Sequence, residues 1–161
     1  MKIRERREED VLALESLARV VHEVDGYPIY LPTDLQDFLV GSAAHGAWVA
    51  EEDGHLLGHV ALHHRSWEGV MEFACHSTGL ADDDLAVVAR LLVSPAARRR
   101  GIGRRLLETA TEMSRSLGLR PILDVAVRYE AAVRLYEDAG WRCLGSVGFP
   151  MPDGTTVDEY V

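Results

Sequence analysis

Cysteine is scarce in this chain of 161 residues, with only Cys75 and Cys143, far apart and in no Cys-x-x-Cys pair. That excludes a secreted disulfide framework and leaves two reduced thiols. Long apolar runs are missing too. The stretch Leu85 to Ala89 is broken by Arg90, far short of a membrane span. Met1 to Asp10 mixes both signs of charge without the apolar core of a signal peptide, so the expected location is cytoplasmic. At a net charge of −9, the chain lacks the basic footprint that nucleic acid requires. Internal repeats, low-complexity tracts and linkers are absent, which implies one domain over residues 1–161 with a core of its own. His63, His64 and His76 do not read as a metal site, because adjacent strand residues point to opposite faces. No metal is expected.

What is present is concentrated. Arg98, Arg99, Arg100, Arg104 and Arg105 place five of the seventeen Lys and Arg residues within eight positions, around Gly101-Ile102-Gly103. The apolar run Leu91-Leu92-Val93, closed by Ser94-Pro95, precedes them, and an amphipathic pattern follows. A strand, a basic glycine loop and a helix N-terminus make an anion cradle. The glycines admit close backbone approach, first-turn N–H groups point at the ligand, and arginines add charge-assisted hydrogen bonds. A pyrophosphate fits best. The Walker string Gly-x4-Gly-Lys-Ser/Thr is not present, and Leu106 stands where a dinucleotide fingerprint needs its third small residue.

The remaining pattern sets the frame. Lys2 to Arg4 reads as a strand and Glu8 to Glu23 as an amphipathic helix ended by Asp25-Gly26-Tyr27-Pro28. A short helix spans Asp34 to Val40, with Thr33 as its expected N-cap. Ala47 to Glu51 and His55 to His64 form a hairpin across Asp53-Gly54. Val70 to Cys75 reads as a strand or extended segment, and Leu85 to Val93 as a strand covered on both faces. A helix from Ile102 to Leu117 follows the cradle. Then come a strand over Pro121 to Val127, a helix over Tyr129 to Ala139, and strands over Trp141 to Val147 and Thr155 to Val161. The fold class is α/β (mixed α+β), with a mixed, mostly antiparallel sheet of about six or seven strands and helices on both faces.

Two motifs in order carry a family resemblance. Arg98-x-x-Gly101-x-Gly103 after Leu91-Leu92-Val93 resembles the acetyl-CoA loop of the GNAT superfamily of N-acetyltransferases. Ala132-x-x-Leu135-Tyr136-Glu137-x-x-Gly140-Trp141 resembles the family's later motif, with Trp in place of Phe. The resemblance implies a sheet whose fourth and fifth strands diverge, with the pantetheine arm of acetyl-CoA bound along Leu91, Leu92 and Val93. It implies that Arg98, Arg99, Arg100, Gly101, Ile102, Gly103 and Arg104 hold the pyrophosphate. It also makes Tyr136 the general acid toward the departing thiolate, and Asp124, in Leu123-Asp124-Val125, the group that helps remove the amine proton. His59 and His63, on one strand face, are alternative bases. Tyr129 stands where many relatives carry Asn.

The implied activity is acetyl transfer from acetyl-CoA to a primary amine of a small molecule or peptide by direct attack, without nucleic-acid or membrane partners. A homodimer is compatible with this reading. The rival is a non-catalytic acyl-CoA-binding domain. Tyr27, Tyr30, Asp34 and Trp48 are candidates for acceptor recognition, with Asp82 to Asp84 as an acidic lure.

Overall fold

The computed structural model describes residues 1–41 and 44–161. β1 (Lys2–Glu5), β2 (Ala44–Glu52), β3 (His55–His63), β4 (Leu85–Val93) and β5 (Arg120–Ile122) form one sheet in sequence order. The first four are antiparallel neighbours, and β5 joins β4 in parallel. β6 (Val125–Ala126), β7 (Ser146–Pro150) and β8 (Thr156–Tyr160) form a second, antiparallel sheet with β8 in the middle. Among the described residues the strands therefore number eight, in two sheets.

The helices are α1 (Val11–Asp25), α2 (Leu35–Val40), α3 (Glu68–Thr78), α4 (Ile102–Ser116) and α5 (Glu130–Asp138). α4 lays Ile102, Leu106, Leu107 and Ala110 on one face of the large sheet, against Trp48, Val60, Leu62 and Val88. On the other face Leu14, Leu17, Ala18 and Val21 of α1 meet Leu35 and Leu39 of α2 together with Leu92. α3 covers Leu85, Val87 and Ile122 with Val70, Met71 and Ala74.

A bulge in β4 sets which side chains reach which face. Arg90 has φ 54, and the register with β3 slips between His59 and Ala61. An extra residue inverts the alternation that follows it. Val88 faces α4, yet Leu92, four residues on, faces α1 and α2, while Leu91 and Val93 turn to the α4 side. His59, fully buried in β3, holds the bulge by donating from Nδ1 to the Arg90 carbonyl at 2.9 Å.

Four local expectations are corrected. Val70–Cys75 lies inside α3, whose Val70, Met71 and Ala74 share a helical face and whose end is capped by Gly79 at φ 73. The N-cap of α2 is Asp34 rather than Thr33, its Oδ1 accepting from the Asp37 N–H at 2.8 Å. The strand expected over Pro121–Val127 is split at Leu123-Asp124, because β5 pairs with β4 and β6 with β8. The strand expected over Trp141–Val147 begins at Ser146. β8 ends opposite it, and Trp141 instead donates its N–H to the Tyr136 carbonyl.

Candidate active site

β4 and β5 pair only from Leu85 to Val87, so the β5-side edge of Val88 to Val93 has no strand partner. A cleft of about 1240 Å³ opens there, running from the glycine loop to β8. An unpaired strand edge offers N–H and C=O groups to an extended, amide-bearing chain. Leu91 and Val93 line the cleft, whereas the Leu92 side chain belongs to the α1 and α2 core.

The glycine loop forms one end. Gly101 is the N-cap of α4 at φ 76, a left-handed conformation that disfavours any residue with a Cβ. The first-turn amides of α4, at Ile102, Gly103 and Arg104, have no intrahelical partners and are free to donate to an anion. A Cβ on Gly103 would stand 3.2 Å from Leu135 Cδ2 and 3.5 Å from Val93 Cγ2, so glycine keeps this corner open. Arg98, Arg99 and Arg104 line the cleft. Arg98 is ion-paired with Asp25, and Arg104 donates to the Asp138 carbonyl at 2.9 Å. Arg100 does not line the cleft, and its Nη2 donates to both carboxylate oxygens of Glu52 at 2.8 Å.

Tyr136 and Asp124 come together midway. α5 carries Tyr136 into the cleft, and the change of sheet at Leu123-Asp124 presents Asp124 beside it. Burial pushes the Tyr136 phenol well above its ordinary range, and the proximity of Tyr27 and Asp124 adds to this, so the hydroxyl keeps its proton. Burial also raises Asp124, opposed by a 2.8 Å hydrogen bond from Ser66 Oγ to its Oδ1 and by the charge of Arg90.

The far end is aromatic and acidic. Trp67 stacks edge-on against Phe149 with ring centroids 5.4 Å apart. The Trp67 indole donates to Glu159 Oε2 at 3.2 Å. Glu159 is only 8% exposed, and burial with the neighbouring Asp124 charge pushes its carboxyl up to about 7. Sequence reasoning missed Glu159. It sits in a C-terminal strand with no motif around it, and only the pairing of β6 with β8 brings it to Asp124.

Other candidates fall in different places. His59 does not line the cleft. Burial pushes its imidazole down to about 3, and Arg6 lies 3.4 Å from Nε2. His63 lines the cleft and is pushed down to about 4, mainly by burial. Tyr27 and Tyr30 line it, but Trp48 is in the core and Asp34 caps α2. Of the acidic run, Asp82 is paired with Arg65, and none of Asp82 to Asp84 lines the cleft. Tyr129 donates to the Gly26 carbonyl at 2.7 Å and packs edge-on against Tyr27, which fastens the end of α1 to the start of α5.

The cleft thus joins a helix N-terminus to a splayed parallel strand pair, with a phenol and carboxylates in the gap. The model of the acetyltransferase (GNAT) family matches residues 10–141, and the chain belongs to that family. Its fold is shared by the ribosomal-protein-S18-alanine N-acetyltransferase of Escherichia coli, at TM-score 0.69 and 20% identity over 99% of this chain and 89% of that one. It is shared by Arabidopsis thaliana NAA60 in complex with acetyl-CoA (TM-score 0.72, 21% identity, 99% and 94% covered). An N-acetyltransferase from Staphylococcus aureus Mu50 has the same fold (TM-score 0.72, 17% identity, 99% and 95% covered). Among curated protein sequences none matches significantly.

Proposed function

We propose that this GNAT acetyltransferase uses acetyl-CoA as co-substrate and acetylates a primary amine of a small molecule or peptide by direct attack on the thioester. The observation that carries the reading is one continuous cleft with the glycine loop at one end, the free edge of β4 along it, and Tyr136 with Asp124 at the splay. The α4 amides and Arg98, Arg99 and Arg104 suit a pyrophosphate. The edge at Leu91 to Val93 suits the pantetheine amides, and a backbone N–H there suits the oxyanion. Arg100, bound to Glu52, serves the loop from outside the cleft.

In this reading Tyr136 donates its proton to the departing thiolate, which a phenol kept neutral by burial can do. Asp124 accepts a hydrogen bond from the amine and assists its deprotonation. Positioning of the two reactants supplies much of the remaining rate. A cytoplasmic location belongs to the same reading. Among the described residues no helix is long and apolar enough to cross a membrane.

The test is a thiol-release screen with acetyl-CoA over amines, amino acids, aminoglycosides and peptide N-termini. Thiol release dependent on one acceptor class, with an acetylated product by mass spectrometry, is the expected result. Tight acetyl-CoA binding with no turnover of any acceptor would identify a non-catalytic acyl-CoA-binding domain instead.

A further inference from the structure

Glu159 is a buried carboxylate with no cation paired to it among the described residues. Of its two oxygens, Oε2 accepts from the Trp67 indole, and Oε1 makes no hydrogen bond among the described residues. It lies on the central strand of the small sheet, opposite Ala126 of β6 and Val147 of β7, and it lines the same cleft as Asp124 and Tyr136. An acid side chain in such a place costs stability unless it has a task or a partner. No Lys or Arg is ion-paired with it among the described residues.

We infer that Glu159 is a second catalytic carboxylate, the one that takes the proton of the incoming ammonium group, with Asp124 as its electrostatic partner. This rests on the acetyltransferase reading above and assigns the base within it. Asp124 has Ser66 Oγ and the Arg90 charge to hold its negative form. Glu159 has one neutral indole donor and the Asp124 charge opposing its ionisation. Of two nearby carboxyls, the less supported one keeps its proton to higher pH. Arg90 from β4, His63 at the end of β3 with Arg65 just after it, Tyr27 beyond α1, Tyr136 from α5 and Arg128 after β6 are further charged or titratable groups lining this part of the cleft.

The consequence is a better matched base. An alkylammonium near ~10.4 gives its proton to an ordinary carboxylate near ~4.3 only against a gradient of about a millionfold. Toward a carboxyl near 7 the gradient is roughly a thousandfold. In the step, one ammonium proton passes to Glu159 and frees the nitrogen lone pair. The C–N bond forms at the thioester carbon, the C–S bond breaks with its electron pair going to sulfur, and Tyr136 protonates that sulfur. The second nitrogen proton returns to Tyr136, and Glu159 releases its proton to solvent. The balance is ammonium plus thioester to amide, thiol and one proton.

The experiment is the pH dependence of kcat/KM for the acceptor found by the screen, in wild type, Glu159→Gln and Asp124→Asn. Gln preserves the acceptor oxygen for Trp67, and acetyl-CoA affinity by calorimetry checks that the cleft is intact. The wild type is expected to show an acid limb near pH 7. Glu159→Gln is expected to lose about 100-fold in kcat/KM above that limb and to lose the limb itself, with acetyl-CoA affinity unchanged. Asp124→Asn is expected to move the limb to lower pH, because the opposing charge is gone. A Glu159→Gln enzyme with the wild-type rate and limb overturns the inference and leaves the acetyltransferase reading standing. A limb unmoved by Asp124→Asn overturns the pairing. A wild type that acetylates no amine overturns both readings together.

Discussion

Arg98 of the glycine loop is ion-paired with Asp25, the last residue of α1, and both line the cleft. The carboxylate occupies the same guanidinium fork that a pyrophosphate would use. Protein and ligand therefore compete for Arg98. Asp25→Asn is expected to tighten acetyl-CoA binding by about 2–5-fold, the scale of an exposed ion pair. Arg98→Ala should weaken it by about 10-fold or more, and added salt should weaken wild-type binding. Titration calorimetry at two salt concentrations measures all three.

Gly103 has little room beside it but no unusual backbone angle, whereas Gly101 has room and a left-handed backbone. The two should fail differently. Gly103→Val keeps α4 and blocks the corner between Leu135 and Val93, so acetyl-CoA affinity should fall more than about 10-fold with little change in Tm. Gly101→Ala should instead cost about 1–2 kcal/mol of stability through backbone strain. Calorimetry and thermal melts on the two variants separate the effects.

Tyr136→Phe retains the ring that packs near Trp141, at a centroid distance of 6.4 Å, and removes only the hydroxyl. A group needed as charge develops on sulfur affects the transition state and not the ground state. The expected outcome is a kcat about 100-fold lower with acetyl-CoA affinity unchanged. Steady-state kinetics with calorimetry decides it, and unchanged kcat would remove the acid role.

His59 is a packing and positioning residue, and this predicts a pH effect on stability. Its imidazole is pushed down to about 3 in the folded protein, chiefly by burial, from about 6.5 in the unfolded chain. The unfolded state therefore binds the proton first. The contribution of neutral His59 is fully present above pH ~6.5 and declines as pH falls from there toward 3. Urea midpoints should drop between pH 7 and pH 4.5. His59→Asn, whose amide N–H can still reach the Arg90 carbonyl, should flatten that dependence while lowering stability at pH 7.

Much of the glycine-loop end of the cleft was legible because its geometry is local. Gly101, Gly103 and the first turn of α4 lie within a few residues of one another, so spacing alone sets a glycine loop against the free first-turn amides of a helix. Even there the arginines were not all equivalent. Arg98 and Arg100 are two residues apart, yet one lines the cleft and the other reaches Glu52 outside it. The helical face of α3 was visible in Val70, Met71 and Ala74, and the capping Gly79 was a usable signal. A short apolar run suits a strand equally well, and only packing against Leu85 and Ile122 selects the helix.

The sequence by itself determined the alternation of apolar and polar positions, the turn at Asp53-Gly54, the cradle, and the motif containing Tyr136. Each depends on neighbours within one element or one turn. Tertiary structure alone decided at which residues the diverging strands part and that Glu159 meets Asp124 in the gap. The bulge at Arg90 inverts the faces of β4, and the change of partner at Leu123-Asp124 splits one expected strand between two sheets. Glu159 reaches Asp124 through pairing between segments more than thirty residues apart. Side-chain period fixes a face within a strand, but which strand lies beside it depends on contacts that close long loops.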